Sequence, residues 1–427
     1  MTSTTRAWYT VALLCAMAVM SYLDRYIIAL LADPIIAEFA ITTTDVGLLI
    51  GLGFGLVYAI AGVPLAHWLD QGQRVRIVAF GVALWSLCTA SSGIAPDYPT
   101  LLASRVGVAI GEAVLVPATI SLIGDLFEPH RRTLPIAVFM GTASLMGSGA
   151  FIIGGLAYQF ANVLAPDLEM EAWRLTMIMV GIPGLILAPL LLLSVAEPAR
   201  TVAHQAETED SSIRAVANHL SAHLRYYLPF FMALGISAIG TFSLISWSSA
   251  MLSRSYNMPL AAAGSLYGTA GLLAGILAAI FWPAASAWAQ RKHKAYLNML
   301  FMAAGLGAAQ LSMALIPWAG SQAVALGSIA VAIFGIAASG TLAVIILQSA
   351  APPLMRARIT SLYVLTGNLI GLTVGPPLSA WISENLYSGQ DAMRSTFGLL
   401  GMVLLPTVFI LLLIATSGYR KCLEETV

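Results

Sequence analysis

Val11-Ala-Leu-Leu-Cys-Ala-Met-Ala-Val-Met-Ser-Tyr-Leu-Asp24-Arg25-Tyr-Ile-Ile-Ala-Leu-Leu31 is an apolar run with two opposite charges set inside it. The run is long enough for a membrane-crossing helix, which needs about 20 mainly apolar residues. It passes Ala16-Met17-Ala18 without a break and continues to Leu31, so it reads as a retained helix rather than a removed leader. A charge at the centre of such a helix costs about 3 kcal/mol or more, and persists where a partner or a wet cavity receives it. A second run holds the matching set: Arg105-Val-Gly-Val-Ala-Ile-Gly111-Glu112-Ala113. Two acids and two arginines in two apolar segments outline a polar site inside a membrane.

The rest of the chain agrees. Of 427 residues, 59% are hydrophobic and 9% charged, and the mean hydropathy is +0.86. Soluble domains carry about 25% charged residues, so this composition belongs to a polytopic, all-α membrane protein. Twelve segments are long and apolar enough to span: residues 8–32, 45–69, 75–95, 98–126, 133–161, 173–195, 227–253, 259–288, 294–317, 321–350, 357–386 and 394–417. The longest connection lies between the sixth and seventh. Its Ile213, Val216, Leu220 and Leu224 recur every three or four residues, which predicts an interfacial amphipathic helix over 211–225. The chain thus divides into a six-helix bundle (1–196), a cytoplasmic linker (197–226) and a second six-helix bundle (227–427).

Basic residues set the orientation. With both termini in the cytoplasm, fifteen Lys and Arg fall in cytoplasmic segments and three (Arg174, Arg254 and Arg394) outside. The halves also read as repeats. Pro129-His-Arg-Arg132 precedes segment five and Pro353-Leu-Met-Arg356 precedes segment eleven, and Gly147 and Gly371 each follow the last arginine by fifteen residues. A parallel repeat of this kind implies two bundles about an axis along the membrane normal, with the substrate site at mid-depth. Zero net charge argues against nucleic acid as a partner. Three scattered cysteines suggest neither a disulfide framework nor a metal site. No HExxH, GxSxG, Walker loop or CxxC occurs, so neither an enzyme nor an ATP-driven pump is expected.

Arg105 and Glu112 are seven residues apart and share one helix face, but about 10 Å of rise separates them. Something must stand between, and Asp24 and Arg25 are the natural candidates. Those two are adjacent and point about 100° apart, so each needs another partner. Movement of an arginine away from an acid, or onto a substrate, changes that acid's hold on its proton. The cluster Asp24, Arg25, Arg105 and Glu112 is therefore a candidate substrate and proton site. Gly107 and Gly111 allow another helix to approach, and Gly375-Pro376-Pro377 is a candidate hinge. Trp8, Trp85, Trp173 and Trp318 read as interface anchors near helix ends.

Ala66-His-Trp-Leu-Asp70-Gln-Gly-Gln-Arg74-Val-Arg76 closes segment two, with Asp70 and Arg74 one helical turn apart. The stretch resembles the cytoplasmic signature of the major facilitator superfamily, Gly-x-x-x-Asp-Arg-x-Gly-Arg-Arg, from which Ala66, Gln71 and Gln73 depart. The resemblance implies a cytoplasmic gate built from Asp70, Arg74, Asp125 and Arg131. Tyr22-Leu-Asp-Arg-Tyr26, Leu31-Ala-Asp-Pro-Ile35, Glu38-Phe39, Gly47-Leu-Leu-Ile-Gly51, Trp85-Ser86 and Arg105 to Ala113 resemble bacterial spinster-like transporters over residues 20–200. That resemblance implies movement of lysolipids or sphingoid lipids by alternating access in a bacterial inner membrane. The arginines would meet an anionic head group, and the proton would be the coupling ion, with no other cofactor. Ser237 and Asn368 are the expected polar contacts from the uncharged second half. Membrane lipid is the expected surrounding partner, and the expected state is a monomer. A cationic-drug antiporter and an organic-anion symporter stand as alternatives.

Overall fold

The computed structural model describes residues 3–200, 213–294 and 296–426, and among these every regular element is helical. Twelve helices are long and apolar enough to cross a membrane. They are α1 (Thr4–Leu30), α2 (Thr43–Gly62), α3 (Arg74–Ser92), α4 (Tyr98–Leu126), α5 (Pro129–Leu164), α6 (Ala172–Ser194), α7 (Leu224–Tyr256), α8 (Leu260–Arg291), α9 (Leu297–Trp318), α10 (Gln322–Ala350), α11 (Arg356–Asn385) and α12 (Ala392–Tyr419). The chain forms two compact units: residues 1–202 with 257–269, and residues 203–256 with 270–427. These limits differ from a division at 196 and 227 in giving the start of α8 to the first unit.

In the first unit, α3 packs on α4 and α6, and α1 packs on α5. Glycine sets the spacing. A Cβ on Gly111 of α4 would lie 2.6 Å from the Gly81 carbonyl of α3, and one on Gly181 of α6 would lie 2.7 Å from the Ser86 carbonyl. Backbones meet at these points, and a methyl group would push them apart. Trp85 is consequently enclosed midway along α3 rather than anchored at an interface. Trp173 is also buried, and its indole N–H donates to Glu38 on the short helix Ala32–Phe39. Trp8 packs edge-on against Phe127, and Trp318 is exposed.

In the second unit, α9 packs on α10 and α12, and α7 on α12, around a core that includes Phe230, Trp282, Met302 and Leu342. The expected amphipathic helix forms over Ile213–Ala222; residues 211–212 lie outside the described residues, as do His204, Glu207, Glu209 and Asp210. Val216 and Leu220 pack on this core, while Leu224 is exposed and already belongs to α7. The apolar stripe therefore covers protein along part of its length.

Two spans contain a wider turn. Gly51–Leu56 in α2 and Asn368–Leu372 in α11 are π-helical, a form frequent at functional sites. The expected hinge at Gly375-Pro376-Pro377 is not a break. The helix Thr373–Asn385 runs through it, and Ser243 Oγ and Trp247 Nε1 donate to the Gly375 and Pro376 carbonyls at 2.9 and 3.0 Å. Prolines lack the N–H that would reach back four residues, so the lost bonds fall on the Leu372 and Thr373 carbonyls. The irregular turn lies just there, at the N-terminal side of the prolines.

Candidate functional site

The structure brings Asp24, Arg25, Arg105 and Glu112 together in the first unit. The α1 register supplies the first two, and α4 supplies the others two turns apart. Asp24, Arg105 and Glu112 are each at most 1% exposed. Arg25 Nη2 donates to Glu112 Oε2 at 2.9 Å, and the Arg25 side chain keeps 16% exposure. Its guanidinium also faces the rings of Tyr22, Phe54 and Tyr58 at 5.1, 4.9 and 5.0 Å. Phe54 comes from the π-helical turn of α2 and faces Arg105 as well, at 5.5 Å. One ring thus stands against two cations, a favourable place for a quadrupole.

Arg105 does not bridge to a carboxylate. Its Nη1 donates to the backbone carbonyl of Asp24 at 3.1 Å, while among the described residues its Nε and Nη2 have no hydrogen-bond partner. Among the same residues no hydrogen bond reaches either carboxylate oxygen of Asp24 or Glu112 Oε1. Asp24 and Arg25 were expected to stand between Arg105 and Glu112 as their partners. Instead one pair is made and the rest of the set is open. Buried polar groups are normally satisfied, so a cluster left this open is unusual.

In the second unit Ser237 is buried and accepts a hydrogen bond from Gln310 Nε2 at 3.3 Å. Ser237 and Asn368 line one cavity of about 170 Å³. Among the described residues, the fully buried charged side chains Asp24, Arg74, Arg105 and Glu112 all lie in the first unit.

A second charged cluster lies at the α2–α3 junction. Arg74, 2% exposed, donates to Asp125 Oδ2 at 2.5 Å, Glu197 Oε1 at 2.8 Å and Ser121 Oγ at 2.9 Å. Glu197 Oε2 also accepts from the Val75 N–H at 2.8 Å, capping α3. Arg200 donates to the carbonyls of Leu69, Asp70 and Gly72. The expected Asp70–Arg74 pair is absent. The helix carrying Asp70 ends at Gln71, Gly72 is extended, and Arg74 starts a new helix, so the four-residue spacing no longer places them on one face. The Asp70 side chain is exposed and, among the described residues, makes no ion pair. Arg131 is 64% exposed, 3.9 Å from Glu128, and stands apart from this cluster.

The model of the Major Facilitator Superfamily matches residues 14–372. The chain belongs to that superfamily. An MFS-type efflux pump of Mycolicibacterium smegmatis is 32% identical over 275 residues, which is 64% of this chain and 60% of the pump. A probable L-galactonate transporter of Escherichia coli is 28% identical over 60% of this chain and 58% of its own. The match thus spans about three-fifths of the length of each of these two relatives. The sphingosine-1-phosphate transporter SPNS2 of Mus musculus is 26% identical over 92% of this chain and 73% of its own. The crystal structure of a bacterial homologue of the human lysosomal transporter Spinster, inward-facing and unoccupied, superposes with a TM-score of 0.81. It is 23% identical and the match covers 98% of this chain and 97% of that one, which shows a shared fold.

The chain is therefore a membrane protein of a transporter superfamily, and it resembles the spinster branch. Its superfamily signature stretch works through different residues than spacing suggested. Glu197, 123 residues from Arg74, occupies the place that Asp70 was expected to take. The sequence offered no local signal for Glu197 or Gln310. Phe54 was signalled only by its glycine-rich surroundings, Gly51-Leu-Gly-Phe-Gly-Leu56.

Proposed function

We propose that this protein is a secondary transporter working by alternating access, with a proton as coupling ion and an anionic amphiphile as substrate. A lysophospholipid or sphingoid phosphate is the favoured class. We place it in a bacterial inner membrane, as a monomer with both termini cytoplasmic. The observation that carries the reading is the half-satisfied cluster. Its four formal charges sum to zero, yet among the described residues two Arg105 donor atoms and the whole Asp24 carboxylate make no hydrogen bond. An ionised carboxyl without donors is a costly occupant of a dry site, and a proton removes that cost. A proton on Asp24 leaves the cluster at +1, which one anionic head group balances. Phosphate oxygens suit guanidinium donors well. A head group that takes Arg25 also frees Glu112, so substrate and proton occupancy become linked. The likeness to a sphingosine-1-phosphate transporter supports this class.

The test is transport in liposomes of a lysophospholipid, a sphingoid phosphate, a cationic dye and a carboxylate, with and without a pH gradient. Lipid movement that responds to the gradient is expected. Asp24→Asn should remove that response while Glu112→Gln keeps part of it. Dye export without lipid movement under any gradient would overturn the reading. One observation favours a second reading, a symporter of small organic acids. The guanidinium pair accepts a carboxylate equally well, and the relative from Escherichia coli is named for L-galactonate.

A further inference from the structure

The cavity in the second unit lies among α7, α10 and α11. At about 170 Å³ it is close to the ~150 Å³ of an engineered apolar cavity that holds benzene, so it fits a group of about six heavy atoms. Leu234, Phe242 and Ile336 supply apolar wall, and no charged residue lines it. The polar lining is more informative once its protons are assigned. Thr241 Oγ1 donates to the Ser237 carbonyl at 3.2 Å, Ser339 Oγ to the Ile336 carbonyl at 2.7 Å, and Tyr363 OH to the Ser339 carbonyl at 3.3 Å. Those three hydroxyls have used their protons and present lone pairs.

Ser237 and Asn368 are different. Ser237 Oγ accepts from Gln310, and its own proton has no acceptor among the described residues. The Asn368 amide makes no hydrogen bond among them, so two donors and an acceptor remain available. Behind Ser237, Gln310 is 1% exposed and its Oε1 is unpartnered. The backbone presents Asn368 deliberately. It opens the π-helical turn of α11, and three residues later Gly371 meets α7, where a Cβ would lie 2.5 Å from the Ala238 side chain. A turn of this kind is rare and is frequent at functional sites.

We infer that this cavity is a binding subsite for an uncharged group that both donates and accepts hydrogen bonds, a hydroxyl or an amide of the transported molecule. Asn368 selects it, and Gln310 positions Ser237. A cation finds no anion here, and an anion finds donors but no positive charge, so a neutral group is the best match. This deepens the transport reading of the same protein and rests on it only for what carries the group.

The test uses purified full-length protein and matched ligand pairs, with affinity read by tryptophan fluorescence. The pairs are hexadecyl phosphoglycerol against hexadecyl methyl phosphate, which carry the same charge, and galactonate against hexanoate. The hydroxyl-bearing member of a pair that binds should bind about tenfold tighter, equivalent to ~1.4 kcal/mol at 25 °C. Asn368→Leu should erase that preference and leave the plain member within about twofold, which also reports that the variant is folded. Asn368→Asp, of equal size, should likewise lose the preference. An equal loss for both members, or no preference in the unsubstituted protein, overturns the subsite. Preference confined to the galactonate pair sinks the lipid reading and keeps the subsite. Lipid binding indifferent to Asn368 does the reverse.

Discussion

Arg25→Met tests the central ion pair. The change removes the guanidinium that holds Glu112 at 2.9 Å and leaves that carboxylate with a fully buried side chain. Removing one partner of a buried pair costs about 3–5 kcal/mol, because the other charge stays behind in low dielectric. Glu112→Leu should cost less, about 1–3 kcal/mol. Arg25 would keep its 16% exposure and the faces of Tyr22, Phe54 and Tyr58. The double replacement puts two apolar side chains of similar volume in contact, and such swaps are often neutral. The two losses should therefore not add, and a coupling of at least ~2 kcal/mol is expected. The assay is reversible denaturation by SDS titrated against dodecyl maltoside, at fixed pH, for the four proteins of the cycle. A double variant as unstable as the sum of the singles would refute the claim that this contact carries energy.

At the α2–α3 junction, Glu197→Ala should lower stability by about 1–3 kcal/mol, since it strips two bonds from Arg74 and the start of α3. Asp70→Asn should stay within about 0.5 kcal/mol, as expected of an exposed side chain; a large drop in its unfolding midpoint would restore the signature reading. Gly111→Ala should cost about 2 kcal/mol or more, because the new methyl meets the Gly81 carbonyl and the Trp85 backbone. Gly147→Ala meets nothing within 4 Å and should be neutral or stabilising by up to about 1 kcal/mol, which the same denaturation series measures.

The fold was legible because a bilayer imposes length and composition on every span. Twelve long apolar runs have few other uses, and the helices fall where those runs fall. What went astray depended on reading helix continuity from local composition. Asp70 and Arg74 face each other only if Gly72 continues the turn, and it does not. Gly375-Pro376-Pro377 looks like a hinge by its composition, but Ser243 and Trp247 of α7 pin its carbonyls. Such pins come from far along the chain, where no local pattern reaches. Trp85 failed for a related reason. Its burial is set by Gly81, Gly111 and Gly181 drawing α4 and α6 against α3, which a reading of helix ends alone does not register.

The site divides the same way. Cost arguments found its four charges, because a charge in hydrocarbon is visible without any knowledge of tertiary contacts. They did not find who pairs with whom. Spacing ruled out a direct Arg105–Glu112 contact, and the structure supplies Arg25 for Glu112 but only a backbone carbonyl for Arg105. That difference decides the chemistry. A closed chain of four alternating charges would be a static structural element, complete without substrate. Here the α1 register fixes the Asp24 carbonyl on Arg105, and among the described residues no hydrogen bond from a cation reaches the Asp24 carboxyl. The cluster is neutral in sum but unfinished in its bonds, and under the proposed function an anion with a proton would be the smallest pair of species to finish it.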